Sequence, residues 1–193
     1  MFKVPGKLML AGEYAVTKAG HKAVVMAINR FADQDSTQFI DQATGNKYGF
    51  GSSAAYLVRQ IRNENPTLSN EQVFVDALNQ TRQSQPLNSG ADVAASTYGG
   101  VVVYQRDQVL EQLTIPKDWH LLVGWTKTPA TTSELVKKAR LSDNFLNRSD
   151  VVVDQIIEAV KSEDFEKFQK NLFLAQENLS TIKSVMTDDL STA

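Results

Sequence analysis

All ten glycines of this 193-residue chain lie at or before Gly124, and residues 125–193 contain none. Glycine marks tight turns, left-handed backbone and close approaches, and it weakens helix interiors. The chain therefore divides into a glycine-punctuated first part, suited to strands, turns and short helices, and a second part patterned for longer helices. In the second part Val152, Ile156 and Val160 share one helical face, as do Phe165, Phe168, Leu172 and Ala175. Ser162 with Glu163 and Asp164 is positioned to cap the later helix. No internal repeat or low-complexity segment is present.

In the first part, residues 1–31 read as a strand, a turn and a second strand. Pro5–Gly6 punctuates the start, Leu8, Leu10 and Ala15–Val16 supply short β-type runs, and Ala23–Ile28 is the next apolar run. Lys7, Glu13 and Tyr14 are polar groups set among these runs. A lysine so placed either reaches solvent along its apolar stem or meets an anion. Residues 32–46 are polar. Ser69 with Gln72 three residues on predicts a capping box opening a helix to about residue 80. Asn88, Ser89 and Gly90 form a turn, and Asp92 falls in the first turn of a short helix, where a carboxylate suits the helix dipole. Gly99–Gly100 ends it, Val101–Tyr104 is a strand, and a further strand is expected over His120–Trp125. A polar loop, TKTPATTSE, follows, and the pattern is helical from about residue 133.

The tract TGNKYGFGSSAA, residues 44–55, carries the strongest hint of chemistry. Gly49 and Gly51 allow a tight loop, and Ala54, Ala55, Leu57, Val58 and Ile61 continue at helical spacing over about 53–63. A helix opening there points free N–H groups and a positive dipole end into the loop, which suits a phosphate. Ser52 and Ser53 add hydroxyls, and Lys47 adds a cation just ahead. A glycine turn before a serine-capped helix is the plain alternative.

Bulk properties narrow the classes. The length suits one large or two small domains. At 42% apolar and 22% charged residues with net charge −2, nothing favours nucleic acid or an anionic membrane. Cysteine is absent, so disulfide and thiolate chemistry are excluded, and His21 and His120 are too few for a histidine-based metal site. No apolar run approaches the roughly 18 residues of a membrane span, and Pro5, Gly6 and Glu13 break any signal-peptide pattern. A cytoplasmic location is the expectation.

Three ordered segments together carry a family resemblance. VPGKLMLAGEYAV (4–16), YGFGSSAA (48–55) and SGADVAASTYGG (89–100) resemble the three N-terminal motif regions of the GHMP kinases. Tyr14, NKYGFGSSAA and LLVGWTKTPATTS (121–133) are similar to the bacterial phosphomevalonate kinases of that family. The resemblance implies an α+β, two-domain GHMP kinase fold. Its N-terminal domain, like ribosomal protein S5 domain 2, would span 1–115, and an α+β C-terminal domain 116–193 would be partial and mostly helical. It implies an ATP- and Mg²⁺-dependent enzyme acting on a small molecule, 5-phosphomevalonate, as a monomer or homodimer. The site residues it implies are Lys7 and Asp92 for catalysis, and Gly49, Gly51, Ser52, Ser53 and Ala54 for ATP. Lys7, Tyr14, Lys47, Ser89, Trp125 and Thr132 would contact the acceptor, and Ser53 the metal. Another GHMP kinase such as a mevalonate kinase, or a non-catalytic ligand sensor, is the alternative. Two features depart from the family: residues 125–193 lack its third glycine-rich motif, and the intervals between Lys7 and the loop and over 58–88 are short.

Overall fold

The computed structural model describes residues 2–34, 38–125 and 141–182. Four strands, β1 (Val4–Ala11), β2 (Lys22–Ala32), β3 (Val101–Gln105) and β4 (Gln108–Leu113), form one antiparallel sheet in chain order. Helices α1 (Ser52–Glu64), α2 (Asn70–Ser84) and α3 (Ala91–Tyr98) lie between β2 and β3 in sequence, and α4 (Asp143–Lys161) and α5 (Phe165–Ser180) follow the sheet.

Side chains alternate across a strand, so the central strands feed two cores. Ala23, Val25, Val102 and Tyr104 face Val58, Val73, Ala77 and Val93 of α1–α3. Leu10, Val24 and Val101 face Val153, Ile156, Ala159 and Phe168 of α4 and α5. The first helical layer holds the glycine loops, and the second packs the glycine-free tail against the opposite face. A hydrogen bond between His21 Nδ1 and Asp150 Oδ2 (2.8 Å) and an ion pair between Lys22 and Asp154 tie the start of β2 to α4.

Most expected elements form, with the following differences. Pro5–Gly6 lies within β1, at a register shift, instead of forming a turn at the start. Ala15–Thr17 is a 3-10 turn, closed by Val16 N–H donating to the Gly12 carbonyl, and not a strand. β4 was not apparent in the sequence: its residues alternate between exposed and half-buried, the signature of a weakly apolar edge strand. His120–Trp125 forms no strand. It has no ladder partner among the described residues, and Leu122 is 99% exposed. At the later helix cap, Asp164 is the residue that accepts, from Lys167 N–H; Ser162 bonds the end of α4.

Candidate active site

The glycine loop is fastened to β1. Lys7 N–H donates to the Phe50 carbonyl at 2.8 Å, an approach that a side chain at position 6 would block, since a Cβ on Gly6 would lie 2.6 Å from that oxygen. Gly51 then opens α1 as its N-cap with left-handed φ of 73°. The first turn of α1 contains no acid, and its cap residue offers no side-chain acceptor. The first N–H groups of the helix thus have no side-chain cap and no acid from their own turn, which is an arrangement that can bind anions. Ser52 is buried and Ser53 exposed at this turn.

Lys7 and Asp92 flank the same glycine. A Cβ placed on Gly51 would lie 2.9 Å from Lys7 Cγ and 3.7 Å from Asp92 Cβ. Lys7 Nζ donates to the Gly49 carbonyl at 3.5 Å. Asp92 sits in the first turn of α3, where Oδ1 accepts from Val93 N–H (3.0 Å) and Oδ2 from Asn88 Nδ2 (3.5 Å). Among the described residues Lys7 and Asp92 form no direct ion pair; they border a shared space.

That space opens into a cleft of about 460 Å³ lined by Lys7, Glu13, Tyr14, Asn88, Ser89 and Asp92, with Pro86 and Leu87 at its rim. Tyr104 lies outside that lining and supports it: it is a buried residue whose hydroxyl donates to the Ser89 carbonyl (2.7 Å) and accepts from Asp107 N–H (2.9 Å). Burial pushes the Tyr104 hydroxyl up to about 12, with partial relief from the backbone hydrogen bond. Gly90 is required beside it, because a Cβ there would lie 2.4 Å from the Tyr104 oxygen. Tyr14 holds a strained φ of 61°, and Thr17 braces it by donating to its carbonyl (2.6 Å).

One residue of the cleft lining, Glu13, and one that supports it, Tyr104, were not among the sequence-predicted residues. Tyr104 reads as an ordinary strand aromatic, and only its place opposite a glycine reveals its role. Glu13 stood out as a charge among apolar runs, and the structure places it, half-buried, in the cleft lining. Burial raises its pKa above the usual carboxylate value, while a backbone hydrogen bond and then the charge of Lys7 pull it back.

The structure brings Lys7, Tyr14, Ser89 and Asp92 together around the cleft, with Gly49, Gly51, Ser52, Ser53 and Ala54 at the adjoining loop and helix start. Lys47 lies on the exposed flank of the loop, its backbone bridged to Ile40, and does not line the cleft. Trp125 packs edge-on against Tyr48, with ring centroids 4.6 Å apart, beside the glycine loop and outside the cleft lining. Thr132 lies outside the described residues. Among those residues no cluster of three or more His, Asp or Glu side chains could hold a metal alone, so a Mg²⁺ ion here would rest on a hydroxyl such as Ser53 and on oxygens of a bound phosphate. No described helix is long and apolar enough to cross a membrane.

No protein-family model matches the chain. A phosphomevalonate kinase from Streptomyces sp. (strain CL190) is 33% identical over a 120-residue alignment that covers 48% of this chain and 32% of that protein; the match thus spans about a third of the curated relative. A Lin0012 protein from Listeria innocua superposes with a TM-score of 0.79 at 23% identity, over 93% of this chain and 77% of that one. Streptococcus pneumoniae phosphomevalonate kinase in complex with phosphomevalonate and AMPPNP superposes at 0.78 with 20% identity, over 93% and 79%. L. major mevalonate kinase in complex with R-mevalonate gives 0.69 at 18%, over 91% and 74%. The likeness runs through the greater part of the chain, helices of both layers included, and the fold is that of the GHMP kinases.

Proposed function

We propose that this chain is an ATP-dependent kinase that transfers the γ-phosphoryl group of ATP to 5-phosphomevalonate, giving ADP and 5-diphosphomevalonate. One observation carries the reading: Lys7, Asp92 and the uncapped start of α1 converge on Gly51 at the mouth of a cleft large enough for a small acceptor. Phosphoryl transfer asks a protein mainly for in-line positioning and charge neutralisation, and these are the parts that supply them. The partial sequence likeness to a phosphomevalonate kinase and the fold likeness to one crystallised with phosphomevalonate and AMPPNP support the choice of substrates. In this reading residues 1–115 are the nucleotide-bearing unit, 116–193 are a partial second unit, and the enzyme works in the cytoplasm.

The loop at Gly49–Ser53 and the N–H groups of Ser52, Ser53 and Ala54 hold the ATP phosphates. Ser53 would hold a Mg²⁺ ion, whose charge would offset that of those phosphates. Lys7 lies between loop and cleft and offsets the charge of the two approaching anions. The acceptor occupies the cleft against Tyr14 and Ser89, with Lys47 and Trp125 meeting it only from outside that lining; Thr132, outside the described residues, is a further acceptor contact by resemblance. A phosphate monoester has a second pKa of about 6, so the acceptor is already nucleophilic at neutral pH. Asp92 therefore orients the acceptor and Lys7 and need not serve as a strong base. Its hydrogen bonds to Val93 and Asn88 hold the carboxylate in place for that role.

An ADP-release assay run in parallel on 5-phosphomevalonate and mevalonate tests the reading. The expected result is turnover with the phosphorylated acceptor at a kcat/KM at least tenfold, or about 1.4 kcal/mol, above mevalonate. Preference for mevalonate would reassign the acceptor, and a folded protein that releases no ADP with either would overturn the kinase reading.

A further inference from the structure

Behind the cleft, on the side away from the glycine loop, lies a second and much smaller cavity of about 10 Å³. Its wall includes Gly12 and Glu13 from the turn after β1, Ser149 from α4 and Asn178 from α5. Glu13 lines both spaces, so this residue stands between the cleft and the second helical layer. Asn178 is buried, and its Nδ2 donates to the Phe145 carbonyl at 3.0 Å. Its Oδ1 is a buried acceptor with no partner among the described residues. Leaving such an atom unpaired costs about 1–3 kcal/mol, so natural interiors satisfy it with protein or water.

The cavity has the volume of roughly one water, and two or more polar groups border it, which is what a buried water requires. We infer that a single buried water occupies it, donating one hydrogen to Asn178 Oδ1 and the other to the Glu13 carboxyl, so that α5 positions the acid facing Lys7. A direct Glu13–Asn178 bond would need a protonated acid, since a carboxylate and an amide oxygen are both acceptors; a water bridges them in either protonation state. The turn that carries Glu13 is built to hold still. Gly12 has φ of 91° with no room for a Cβ against Ala23, and the strained Tyr14 follows directly. Glu13 is thus a positioning residue, fixed from behind by the helical tail and acting on the cleft through Lys7.

Only the role given to Lys7 rests on the kinase reading, so the test reads no turnover. Carbon-13 NMR follows titration of the Glu13 carboxyl in the intact chain, assigned with Glu13→Gln. The charged or titratable groups facing it are Lys7, Tyr14 and Asp92 from the cleft; the α4 and α5 residues lining the small cavity supply none. A hydrogen bond donated to a carboxylate favours its charged form, so removing the water raises the midpoint. Asn178→Leu, which takes away Oδ1 and fills the space, is expected to raise it by about half to one unit. An unchanged midpoint in folded Asn178→Leu overturns the inference. Should that variant not fold, a high-resolution crystal structure of the unaltered protein decides. A water within about 3.2 Å of both Asn178 Oδ1 and a Glu13 oxygen supports the bridge, and a dry cavity or a protein group on Oδ1 refutes it.

Discussion

α1 begins unlike the other four described α-helices. α2 opens with a full capping box, in which Ser69 accepts from Gln72 N–H and the Gln72 side chain accepts from Ser69 N–H. Ser142 accepts from Phe145 N–H at α4, and Asp164 from Lys167 N–H at α5. Each of these helices also has an acid in its first turn: Glu71, Asp143 and Glu166. α3 is intermediate, with a glycine cap but with Asp92 bonded to its own helix start and Ser89 Oγ accepting from Ala91 N–H. α1 has neither acid nor side-chain cap. Capping stabilises a helix by about 1 kcal/mol, and negative charge near its start adds a few tenths to 1 kcal/mol. A helix without either, beside Lys7, is the one at which the proposed function seats an anion from outside the chain.

The largest expected effect comes from the helix that is half-way between the two kinds. Asp92→Asn keeps an acceptor for Val93 N–H, so α3 and the fold should survive while the cleft loses its charge. Phosphoryl transfer is expected to fall by about 100- to 1,000-fold, the scale of losing one group that acts on the transition state. Because the acceptor phosphate is already ionised, the residual rate should be nearly flat above pH 7. A steep recovery at high pH would make Asp92 a true base and would separate α3 from the capped helices altogether.

Giving α1 what the other helices possess is the direct way to break the comparison. Gly51→Asp adds a side-chain acceptor and a negative charge at the N-cap, and its Cβ meets Lys7 Cγ at 2.9 Å. ATP affinity measured by calorimetry is expected to drop by about 30- to 100-fold, roughly 2–3 kcal/mol, from a charge that competes for the same N–H groups. Unchanged affinity would place the nucleotide elsewhere.

How much of this was legible in the sequence depends on whether the signal was local. The Ser69–Gln72 box, the glycine loop opening α1 and Asp92 in a first helical turn are all neighbours in sequence, and each took its expected form. The convergence of Lys7, Gly51 and Asp92 was reached through resemblance, because no periodicity connects residues so far apart. Glu13 and Tyr104 depend on contacts across the fold and were not assigned to the site. β4 was missed because its turn, Arg106–Asp107, lacks glycine and instead places Asp107 at φ of 69°, a conformation that asparagine and aspartate tolerate better than most residues. His120–Trp125 had a strand's composition, but strand formation also needs a partner edge, which composition does not report.

Tyr104→Phe sharpens the intermediate status of α3, since the hydroxyl fastens the turn before that helix. Loss of its bonds to Ser89 and Asp107 is expected to destabilise the protein by about 1–2 kcal/mol in urea unfolding. The alkaline limb gives an independent check. The native hydroxyl keeps its proton to about 12, whereas the unfolded one releases it near 10. The native state therefore binds more protons in that window, and stability falls as pH rises from about 10 to 12. Tyr104→Phe should lack that component of the fall; an identical slope in both proteins would mean the hydroxyl is not held as described.

The smallest effect belongs to a helix whose start has only structural work. Ser69→Ala removes half of the α2 capping box and should cost about 1 kcal/mol, a shift in the urea midpoint with the slope unchanged. Ser69 lies outside the cleft lining and at the far end of α2 from it: the residues that reach the rim, Ser84 and Gln85, close that helix. ATP affinity and KM for the acceptor should therefore stay within twofold, or about 0.4 kcal/mol, of the unaltered protein. If nucleotide affinity fell along with stability, the caps would be coupled to the site through α2, and the open start of α1 would no longer be the feature that distinguishes binding from folding in this chain.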